Sequence, residues 1–580
     1  MTDTVEARDR PWREHWFWGA FWRSRWIYAQ VVLAAAVTNI FALSTSLFSM
    51  TVYDRVIPNN AMESLAALAI GMCVVVAFDM VIKLIRAYFI DIASRRADLE
   101  IGEKVFDQVL RMPLAARRGA SGAFASTMRE FETLRDFFTS ATLVAIVDLP
   151  FILLFLAVIW LIGGWLVIVP ALSVPLVLLA ALASQPALSR LSRLGLKSAR
   201  TKQAVLVETL SGMETVKAVG AGEAMASRWR DGVVHGAEIG QQSRFWSQLA
   251  VNAASFAQQS VQVGIVTYGV FLIRDGELSM GALIACSILS GRALAPLAQL
   301  ANVLARAHHA AASYKALTGI MGMPGEASPT GLAKTRFDGA IEFRNVIFRY
   351  PGKPYRALDD VSFRIEPGER VALLGRVGSG KSTVARLILG LHAPEDGTVT
   401  IDGTEVRQLD PDLMRKAMGV VLQDVCLFSG TIRNNVTIGL DDVDDERLIR
   451  AAETSGLHDM IGGLPQGYDL EIEERGEGLS GGQRQAIALT RALVRDPAIY
   501  VMDEPTSAMD VRTEAQFIER MKTIVAGKTM VLVTHRTAML ELVDKVIVLD
   551  RGKVVAAGPR DRVMAALAGQ GPRPAREAVA

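Results

Sequence analysis

The strongest chemical signal in the sequence is a glycine-rich segment, GRVGSGKS at residues 375–382, which fits the pattern GxxxxGK[ST]. The run VALLG before it predicts a buried strand and the run KSTVARLILG predicts a helix, the context that this pattern requires. Glycines allow successive backbone N–H groups to turn towards phosphates at the start of a helix. We therefore expect Lys381 to reach the β- and γ-phosphates of a nucleotide and Ser382 to ligate Mg²⁺. The candidate nucleotide-binding residues of this segment are Gly375, Gly378, Ser379, Gly380, Lys381, Ser382 and Thr383.

Two acidic residues end a second apolar run, IYVMDE at residues 499–504, which predicts a buried strand. At the tip of such a strand Asp503 can hold the outer shell of ligands around Mg²⁺, and Glu504 can polarise a water molecule for in-line attack on the γ-phosphorus. Two acids in this position can also do no more than cap the next helix. Their occurrence together with the glycine-rich segment favours nucleotide hydrolysis.

The segment LSGGQ at residues 479–483 predicts a second anion-binding surface, because small residues and a hydroxyl precede the helical run QRQAIALTRAL. A single nucleotide does not need two separate phosphate-binding surfaces from the same chain. The pattern therefore predicts that this segment of one chain closes on the nucleotide held by another chain. The residues assigned to it are Ser480, Gly481, Gly482 and Gln483.

Together these three segments resemble the ATPase domain of ABC transporters over about residues 340–565. The resemblance implies ATP and Mg²⁺ as cofactors, with Ser382, Gln423 and Asp503 as metal-binding residues. It also implies that Gln423 senses the membrane domain. By the same resemblance, Tyr350 stacks on adenine, Asp510 reaches across a dimer, and His535 contacts the γ-phosphate. Because both Glu504 and His535 are present, we expect a site that is competent for hydrolysis.

The composition excludes a wholly soluble protein. Of 580 residues 51% are hydrophobic and 21% charged, and the mean hydropathy is +0.28, whereas soluble chains average about 25% charged residues. A net charge of +2 gives no electrostatic basis for binding nucleic acid. Three cysteines without a CxxC pattern predict neither a disulfide framework nor a zinc site.

The apolar excess lies in the first half of the chain, as six runs long enough to span a bilayer. They cover residues 28–50, 62–88, 140–161, 164–183, 248–273 and 278–298. Lysine and arginine concentrate in 83–136 and 190–244, so these segments, the N-terminus and the C-terminal half are expected in the cytoplasm. Their helical periodicity predicts membrane helices that continue well into the cytosol.

The expected fold is therefore an α-helical six-span membrane domain followed by an α/β ATPase domain. This arrangement resembles a type I ABC exporter half-transporter, which implies that two chains work together, with a homodimer as the expected form. The expected divisions are an N-terminal cytoplasmic or interfacial segment (1–27), the membrane domain (28–315), a linker (316–338), the nucleotide-binding domain (339–565) and a flexible tail (566–580).

Tryptophans near the N-terminus carry a further prediction. Trp12, Trp16 and Trp22, with arginines nearby, fit either an interfacial amphipathic helix or an aromatic-belt anchor. The string HWFWGAFWRSR is similar to exporters of large RTX-type adhesins. Because about 27 residues precede the first span, the N-terminal cysteine-peptidase domain of many such exporters is not expected, nor is leader cleavage.

Two short strings also resemble type I secretion exporters: Tyr53-Asp54-Arg55-Val56 and Asp148-Leu149-Pro150-Phe151. Pro150 removes one helix hydrogen bond, and either Asp148 satisfies the freed groups or the helix is simply kinked. In such exporters, coupling helices interrupt the long cytosolic helices at positions that correspond here to 117–122 and 219–224. Glu474 matches the acidic position that contacts those helices, and Glu473 stands where glycine is commoner.

Polar residues follow one face of the fifth span. They recur at helical spacing and are Gln248, Asn252, Ser255, Gln259 and Gln262. Such a stripe is unfavourable against lipid, so it lies against partner helices or lines an aqueous path, and both interpretations stay open. Asp79 and Lys83, one helical turn apart, are expected to neutralise each other.

The resemblance implies an exporter in the bacterial inner membrane with a cytoplasmic ATPase. Its substrate would be an unfolded polypeptide with a C-terminal secretion signal. Its partners would be a periplasmic adaptor (membrane fusion protein) and an outer-membrane channel, besides the lipid bilayer. The alternatives are an exporter of lipids, glycans or small molecules, and an ATP-gated membrane regulator without net transport.

Overall fold

The computed structural model describes residues 15–116, 131–132, 134–135, 137–138, 140–326, 331–440 and 442–569. The chain forms two compact units. The first contains Met1–Leu110 and Arg118–Met323, and the second contains Arg111–Arg117 and Pro324–Ala580.

Long helices build the first unit. Their bounds are α1 Trp18–Arg23, α2 Arg25–Thr51, α3 Ile57–Asn59, α4 Met62–Arg111, α5 Ser140–Asp148, α6 Phe151–Gly163, α7 Ile168–Ser211, α8 Met213–Ala218, α9 Gly222–Arg274 and α10 Met280–Met321. A π-helix, Val52–Val56, lies between α2 and α3. The last helix therefore continues into the segment proposed as a linker.

Five stretches of the described residues are long and apolar enough to cross a bilayer. They are Arg25–Asn59, Met62–Arg111, Val144–Ser211, Gly222–Arg274 and Met280–Leu297. The third includes most of the predicted span 140–161 and all of 164–183, and the two meet where Gly164 has a φ of 53°. Helix α4 has 50 residues, about 75 Å of helix, whereas a bilayer core is about 30 Å thick. This length agrees with helices that continue beyond the membrane.

The N-terminal aromatic residues pack against protein. Phe17 and Ala20 are each 2% exposed and belong to a core with Ile101, Leu134 and Leu317. Trp16 and Trp18 pack against this same cluster, whereas Trp22 and Trp26 are exposed. Of these four described tryptophans, Trp22 and Trp26 are therefore the ones exposed enough to meet a lipid interface. Trp12 lies outside the described residues.

Asp54 joins the end of α2 to the start of α10. Its Oδ1 accepts a hydrogen bond from the Gly281 N–H at 2.8 Å, and Ser279 Oγ donates to its Oδ2 at 2.5 Å. Ser279 is itself the N-cap of α10 and accepts from the Ala282 N–H. A carboxylate at this position is favourable because it faces the positive end of the helix dipole.

Two further ion pairs lie within the spans. Asp79 and Lys83 form the expected ion pair at 2.5 Å. Asp148 pairs with Arg86 at 3.1 Å, so its described partner is a side chain of α4 and not a backbone group freed by Pro150. The chain turns at Leu149 and Pro150, which separate α5 from α6. Pro150 therefore ends one helix and begins another.

Strands begin in the second unit. They are β1 Ile341–Phe348, β2 Leu358–Ile365, β3 Arg370–Gly375, β4 Asp396–Ile401, β5 Thr404–Glu405, β6 Met418–Val421, β7 Gly430–Thr431, β8 Glu471–Ile472, β9 Ile499–Asp503, β10 Thr529–Val533, β11 Lys545–Asp550 and β12 Lys553–Pro559. The main sheet has the order β12-β11-β3-β10-β9-β6, and a four-stranded sheet has the order β2-β1-β4-β5. A short pair, β7-β8, completes the described strands.

Helices cover the main sheet. They are α11 Lys381–Ile388, α12 Pro411–Lys416, α13 Ile432–Thr437, α14 Asp445–Ser455, α15 Leu457–Ile461, α16 Gly481–Leu493, α17 Val511–Ile524 and α18 Arg560–Leu567. Every residue of β9 and β10 is buried, as is typical of parallel strands covered on both faces. Met530 and Leu532 enter one hydrophobic core and Val531 and Val533 the other, because successive side chains of a strand point to opposite faces.

Candidate functional site

The predicted site residues of the second unit meet at one edge of the main sheet. Strands β3, β10, β9 and β6 are neighbours and run parallel. Their carboxyl ends therefore lie side by side, where ligands of open α/β sheets bind. The segments that follow these four ends carry the glycine-rich loop, His535, Glu504 and Gln423 respectively.

The glycine-rich loop adopts a backbone that other residues would strain. Gly375, Gly378 and Gly380 have φ values of 148°, 79° and 104°. A Cβ atom on Gly375 would lie 2.1 Å from Leu549 O, and one on Gly380 would lie 2.8 Å from Ala357 O. Two of these glycines are therefore required by close backbone approach, as well as by conformation.

Lys381 begins α11 and reaches back into the loop. Its Nζ donates to the carbonyl oxygens of Gly375 at 2.8 Å and Arg376 at 3.0 Å. The side chain is buried, and burial lowers the pKa of the Lys381 ammonium, while the charges of Glu504 and Asp503 act to raise it. A buried cation within a phosphate-binding loop fits the predicted role.

The burial and the hydrogen bonds of Asp503 show whether the site suits Mg²⁺. It is 4% exposed, and burial raises the pKa of its carboxyl group, against a hydrogen bond with Ser382. Its Oδ1 has no hydrogen-bond partner among the described residues. A buried carboxylate oxygen without a partner is unfavourable, and Mg²⁺ prefers such hard oxygen ligands. The donors present therefore fit the expected cation.

Gln423 lies in the exposed turn after β6. Strand β6 pairs in parallel with β9, with Val421 opposite Met502, so this turn begins beside Asp503. The structure thus brings Gln423 to the same sheet edge as Ser382 and Asp503. It describes no direct contact between Gln423 and either residue.

Glu504 follows β9 in a left-handed conformation, with a φ of 54°. Such a conformation costs about 1–3 kcal/mol outside glycine and persists only where the surroundings hold it. The Glu504 N–H donates to Val533 O at 2.8 Å. Its Oε1 lies 3.5 Å from His535 Nε2, and the two side chains are 15% and 51% exposed. The predicted base and the predicted γ-phosphate contact are therefore neighbours.

Tyr350 and Thr383 are also brought together, since their hydroxyl oxygens lie 3.1 Å apart. Arg386 donates to the Tyr350 hydroxyl at 2.9 Å, and the His392 ring lies nearly perpendicular to the tyrosine ring, with 5.4 Å between centroids. The sequence analysis missed Arg386 and His392. Arg386 lies one helical turn after Thr383, and this spacing could have placed it at the site.

The LSGGQ segment forms the start of α16 and makes its own cap. Ser480 Oγ accepts from the Gln483 N–H at 3.3 Å, and Gln483 Oε1 accepts from the Ser480 N–H at 2.8 Å. This reciprocal capping box fixes the helix N-terminus. Gly481 and Gly482 lie against Ala508, which hypothetical Cβ atoms on either glycine would approach to 3.3 Å.

Asp510 caps α17 within its own chain. Its Oδ1 accepts from the N–H groups of Arg512 and Thr513, both at 2.9 Å. Hydrogen bonds from Thr513 are the main reason that the pKa of the Asp510 carboxyl group is lowered. The contact across a dimer stays a prediction.

The predicted coupling segments are described in part. Residues 117–122 lie outside the described residues. The other segment follows a helix end at Ala218 and contains the start of α9 at Gly222. Glu474 is exposed. Glu473 has an ordinary φ of −72°, and the residues nearby with a positive φ are Arg475, Gly476 and Gly478, so a glycine at 473 is not needed.

Most of the polar stripe of α9 is exposed within the single chain. Gln248, Asn252, Gln259 and Gln262 are exposed and Ser255 is half-buried. The opposite face of α9 is buried and consists of Ala250, Ala254, Ala257, Val261 and Ile265. Gln248 Nε2 donates to Asn252 Oδ1 at 2.9 Å, and Gln262 Nε2 donates to Ser287 Oγ of α10.

Comparison with known proteins agrees with this architecture. The family described as "ABC transporter transmembrane region" matches residues 28–296, and the family "ABC transporter" matches residues 358–507. A relative from Actinobacillus pleuropneumoniae, the "Toxin RTX-I translocation ATP-binding protein", is 33% identical over 95% of this chain and 78% of its own length. The "Leukotoxin translocation ATP-binding protein LktB" of Mannheimia glucosida is 33% identical over the same shares.

A solved structure, "Structure of a bacterial Atm1-family ABC exporter with ATP bound", matches with a TM-score of 0.85 and 24% identity. It covers 96% of this chain and 99% of that one. The chain therefore belongs to the ABC transporters, with the transmembrane fold of a type I exporter, and the predicted fold class is confirmed. It is a multi-pass membrane protein whose ATPase domain binds nucleotide and couples ATP hydrolysis to transport.

Proposed function

We propose that this protein is the inner-membrane exporter of a type I secretion system and moves an unfolded polypeptide of the RTX toxin, adhesin or protease class. The observation that carries the proposal is the 33% identity over 95% of the chain to proteins named for toxin translocation. The ATPase lies in the cytoplasm. The working unit is a homodimer that joins a periplasmic adaptor and an outer-membrane channel.

Hydrolysis takes place at the edge of the main sheet. Lys381 and the N–H groups of the glycine-rich loop bind the phosphates. Ser382, Gln423 and Asp503 hold Mg²⁺, which when bound neutralises charge on the β- and γ-phosphates. Glu504 orients the attacking water and accepts its proton, and His535, with its Nε2 3.5 Å from Glu504 Oε1, contacts the γ-phosphate.

The second chain completes each site. The capped start of α16 presents Ser480, Gly481, Gly482 and Gln483 at a helix N-terminus, where anions bind favourably. In the dimer these residues contact the nucleotide of the opposite chain, and Asp510 lies at the same interface. Tyr350 stacks on adenine beside Thr383. The closed dimer holds two nucleotides between the chains.

The proposed boundaries of the domains follow the sequence: 28–315 for the membrane domain, 339–565 for the ATPase domain and 316–338 between them.

The exposed stripe of α9 lines the path for the polypeptide. Its exposure within the single chain supports this assignment, because among the described hydrogen bonds of these amide side chains only that of Gln262 reaches another helix. Neutral amides can hydrogen-bond a peptide backbone of any sequence.

Deletion of the gene, followed by comparison of secreted proteins, tests the function. Loss of one large extracellular protein, restored by the wild-type gene but not by the Glu504→Gln variant, is the expected result. A changed lipid profile with unchanged secreted proteins would support a lipid exporter instead. Ionic currents in the purified protein without directional movement of substrate would support the ATP-gated regulator.

A further inference from the structure

Gln485 joins α16 to the loop that follows Glu504. It lies two residues after Gln483 and is 4% exposed. Its Nε2 donates to Glu504 O at 2.9 Å and Ser507 Oγ at 3.1 Å, and its Oε1 accepts from the Ala508 N–H at 2.7 Å. Both ends of the side-chain amide are therefore used, and all three partners lie in residues 504–508.

These bonds act on the strained residue of the site. The Glu504 N–H is held by Val533 O, at the end of β10, and its carbonyl oxygen is held by Gln485. The two backbone groups that flank the left-handed Cα are thus fixed by different elements. Because the Glu504 side chain leaves from that Cα, its direction depends on both anchors.

The same loop is held from its other side by the residue after His535. Arg536 Nη2 donates to Ser507 O and to Met509 O, both at 3.0 Å. Its other terminal nitrogen lies 3.1 Å from Glu514 Oε2, a nearly buried carboxylate. Since Gly481 and Gly482 also pack on Ala508, the loop is enclosed between the start of α16 and the segment after β10.

We propose that Gln485 is a positioning residue that links the placement of the LSGGQ segment to the orientation of Glu504 in the same chain. The proposal rests on the proposed role of Glu504 as the base. In the dimer, α16 of one chain contacts the nucleotide of the other. Movement of α16 on closure therefore reaches Glu504 of its own chain through the Gln485 amide, and each site senses the occupancy of the opposite site.

The Gln485→Glu variant tests the link with little change of shape. A carboxylate keeps the acceptor for the Ala508 N–H but loses the donor to Glu504 O and Ser507 Oγ, and places an oxygen opposite a carbonyl oxygen. We expect kcat of ATP hydrolysis by the full-length protein to fall about tenfold or more, with the KM for ATP changed less than about threefold.

Thr490→Val is the matched control. Thr490 is fully buried on the same helix and bonds Ala486 O and Ser455 Oγ, so its loss disturbs packing of α16 without touching the 504–508 loop. We expect this variant to keep kcat within about twofold. Equal losses of kcat in both variants, or a normal kcat in Gln485→Glu, would overturn the proposal. Thermal unfolding of both variants shows how far stability contributes.

A double-mutant cycle separates this inference from the function on which it rests. If Gln485 acts through Glu504, adding Gln485→Glu to Glu504→Gln changes the residual rate by less than about twofold. Fully additive losses would show that Gln485 acts elsewhere. If Glu504→Gln alone still hydrolyses ATP normally, the assignment of the base fails, and the positioning role fails with it.

Discussion

The sheet edge of the ATPase unit and the polar face of α9 differ in how far contacts within the chain hold their functional side chains. At the sheet edge, Lys381, Glu504 and Gln485 have partners within the chain, and two of the loop glycines are required by contacts below 3 Å. On α9, four amide side chains are exposed, and among their described hydrogen bonds only that of Gln262 reaches another helix. The contrast indicates that most residues for ATP hydrolysis are held in place by their own chain. The proposed substrate path along α9, in contrast, depends on contacts with groups outside that chain.

The largest expected effect is a loss of ATP hydrolysis while ATP binding is retained. Glu504→Gln removes the proton acceptor, and we expect hydrolysis to fall by about 10²–10⁴-fold while ATP still binds and favours a closed dimer. Steady-state hydrolysis and nucleotide binding measure the two effects. Glu446→Gln, an exposed carboxylate on α14, is the control and should hydrolyse normally. Near-normal turnover in Glu504→Gln would remove Glu504 as the base.

A glycine in the membrane unit tests whether close contacts matter there too. A Cβ atom on Gly281 would lie 2.4 Å from Met50 O and 2.6 Å from Asp54 Cγ. We expect Gly281→Ala to lower the free energy of unfolding by about 1–3 kcal/mol, as overpacking does. Thermal unfolding in detergent measures it. Gly71→Ala is the control, because nothing lies within 4 Å of its hypothetical Cβ, and equal Tm values for both variants would contradict the contact.

Asp503 tests the cost of keeping a buried carboxylate for the cation. Because the folded-state pKa is raised, the charged carboxylate destabilises the fold above that pKa, and the penalty vanishes as the pH falls below the ordinary value of about 3.9. We expect Asp503→Asn to be about 1 kcal/mol more stable than wild type at neutral pH without nucleotide, yet to lose Mg²⁺-dependent hydrolysis.

Denaturant unfolding at several pH values measures this difference. It should shrink as the pH approaches the unfolded-state pKa of an aspartate. The exposed Asp561→Asn is the control and should show no such trend. A less stable Asp503→Asn at neutral pH would mean that the carboxylate contributes to folding.

The smallest expected effect lies on the polar face. Gln259→Leu removes one exposed amide, and we expect export to fall about threefold, the value of one modest hydrogen bond, with ATP hydrolysis unchanged. Export and hydrolysis are measured together in reconstituted vesicles with the secreted polypeptide. Val263→Leu, an exposed apolar neighbour, is the control. Lower hydrolysis in Gln259→Leu would place the residue in a packing contact and not in the path.

The sequence indicates which residues meet at the sheet edge because the motifs that contain them are local. The spacing from Gly375 to Lys381 and the strand that ends at Asp503 each specify a backbone shape, and parallel strands then bring the ends together. The Asp79–Lys83 pair was predictable for the same reason, since one helical turn separates the two residues.

The missed features depend on contacts between distant residues. Arg86 and Asp148 are 62 positions apart, and Gln485 reaches partners 19 to 23 positions away. No periodic pattern in the sequence predicts contacts between residues so far apart. A glutamine on the otherwise apolar face of α16 was the one available signal for Gln485. The packing of Phe17 against Ile101 and Leu317 was likewise hidden, because an aromatic helix fits lipid and protein equally well.

The aspartate between α2 and α10 restricts how the membrane unit can open. At that end α2 and α10 share one carboxylate, and separating them would remove the two hydrogen bonds that its charge accepts. We therefore expect the end of α2 and the start of α10 to move together. The opening that admits the substrate must then form between other helices or between the two chains.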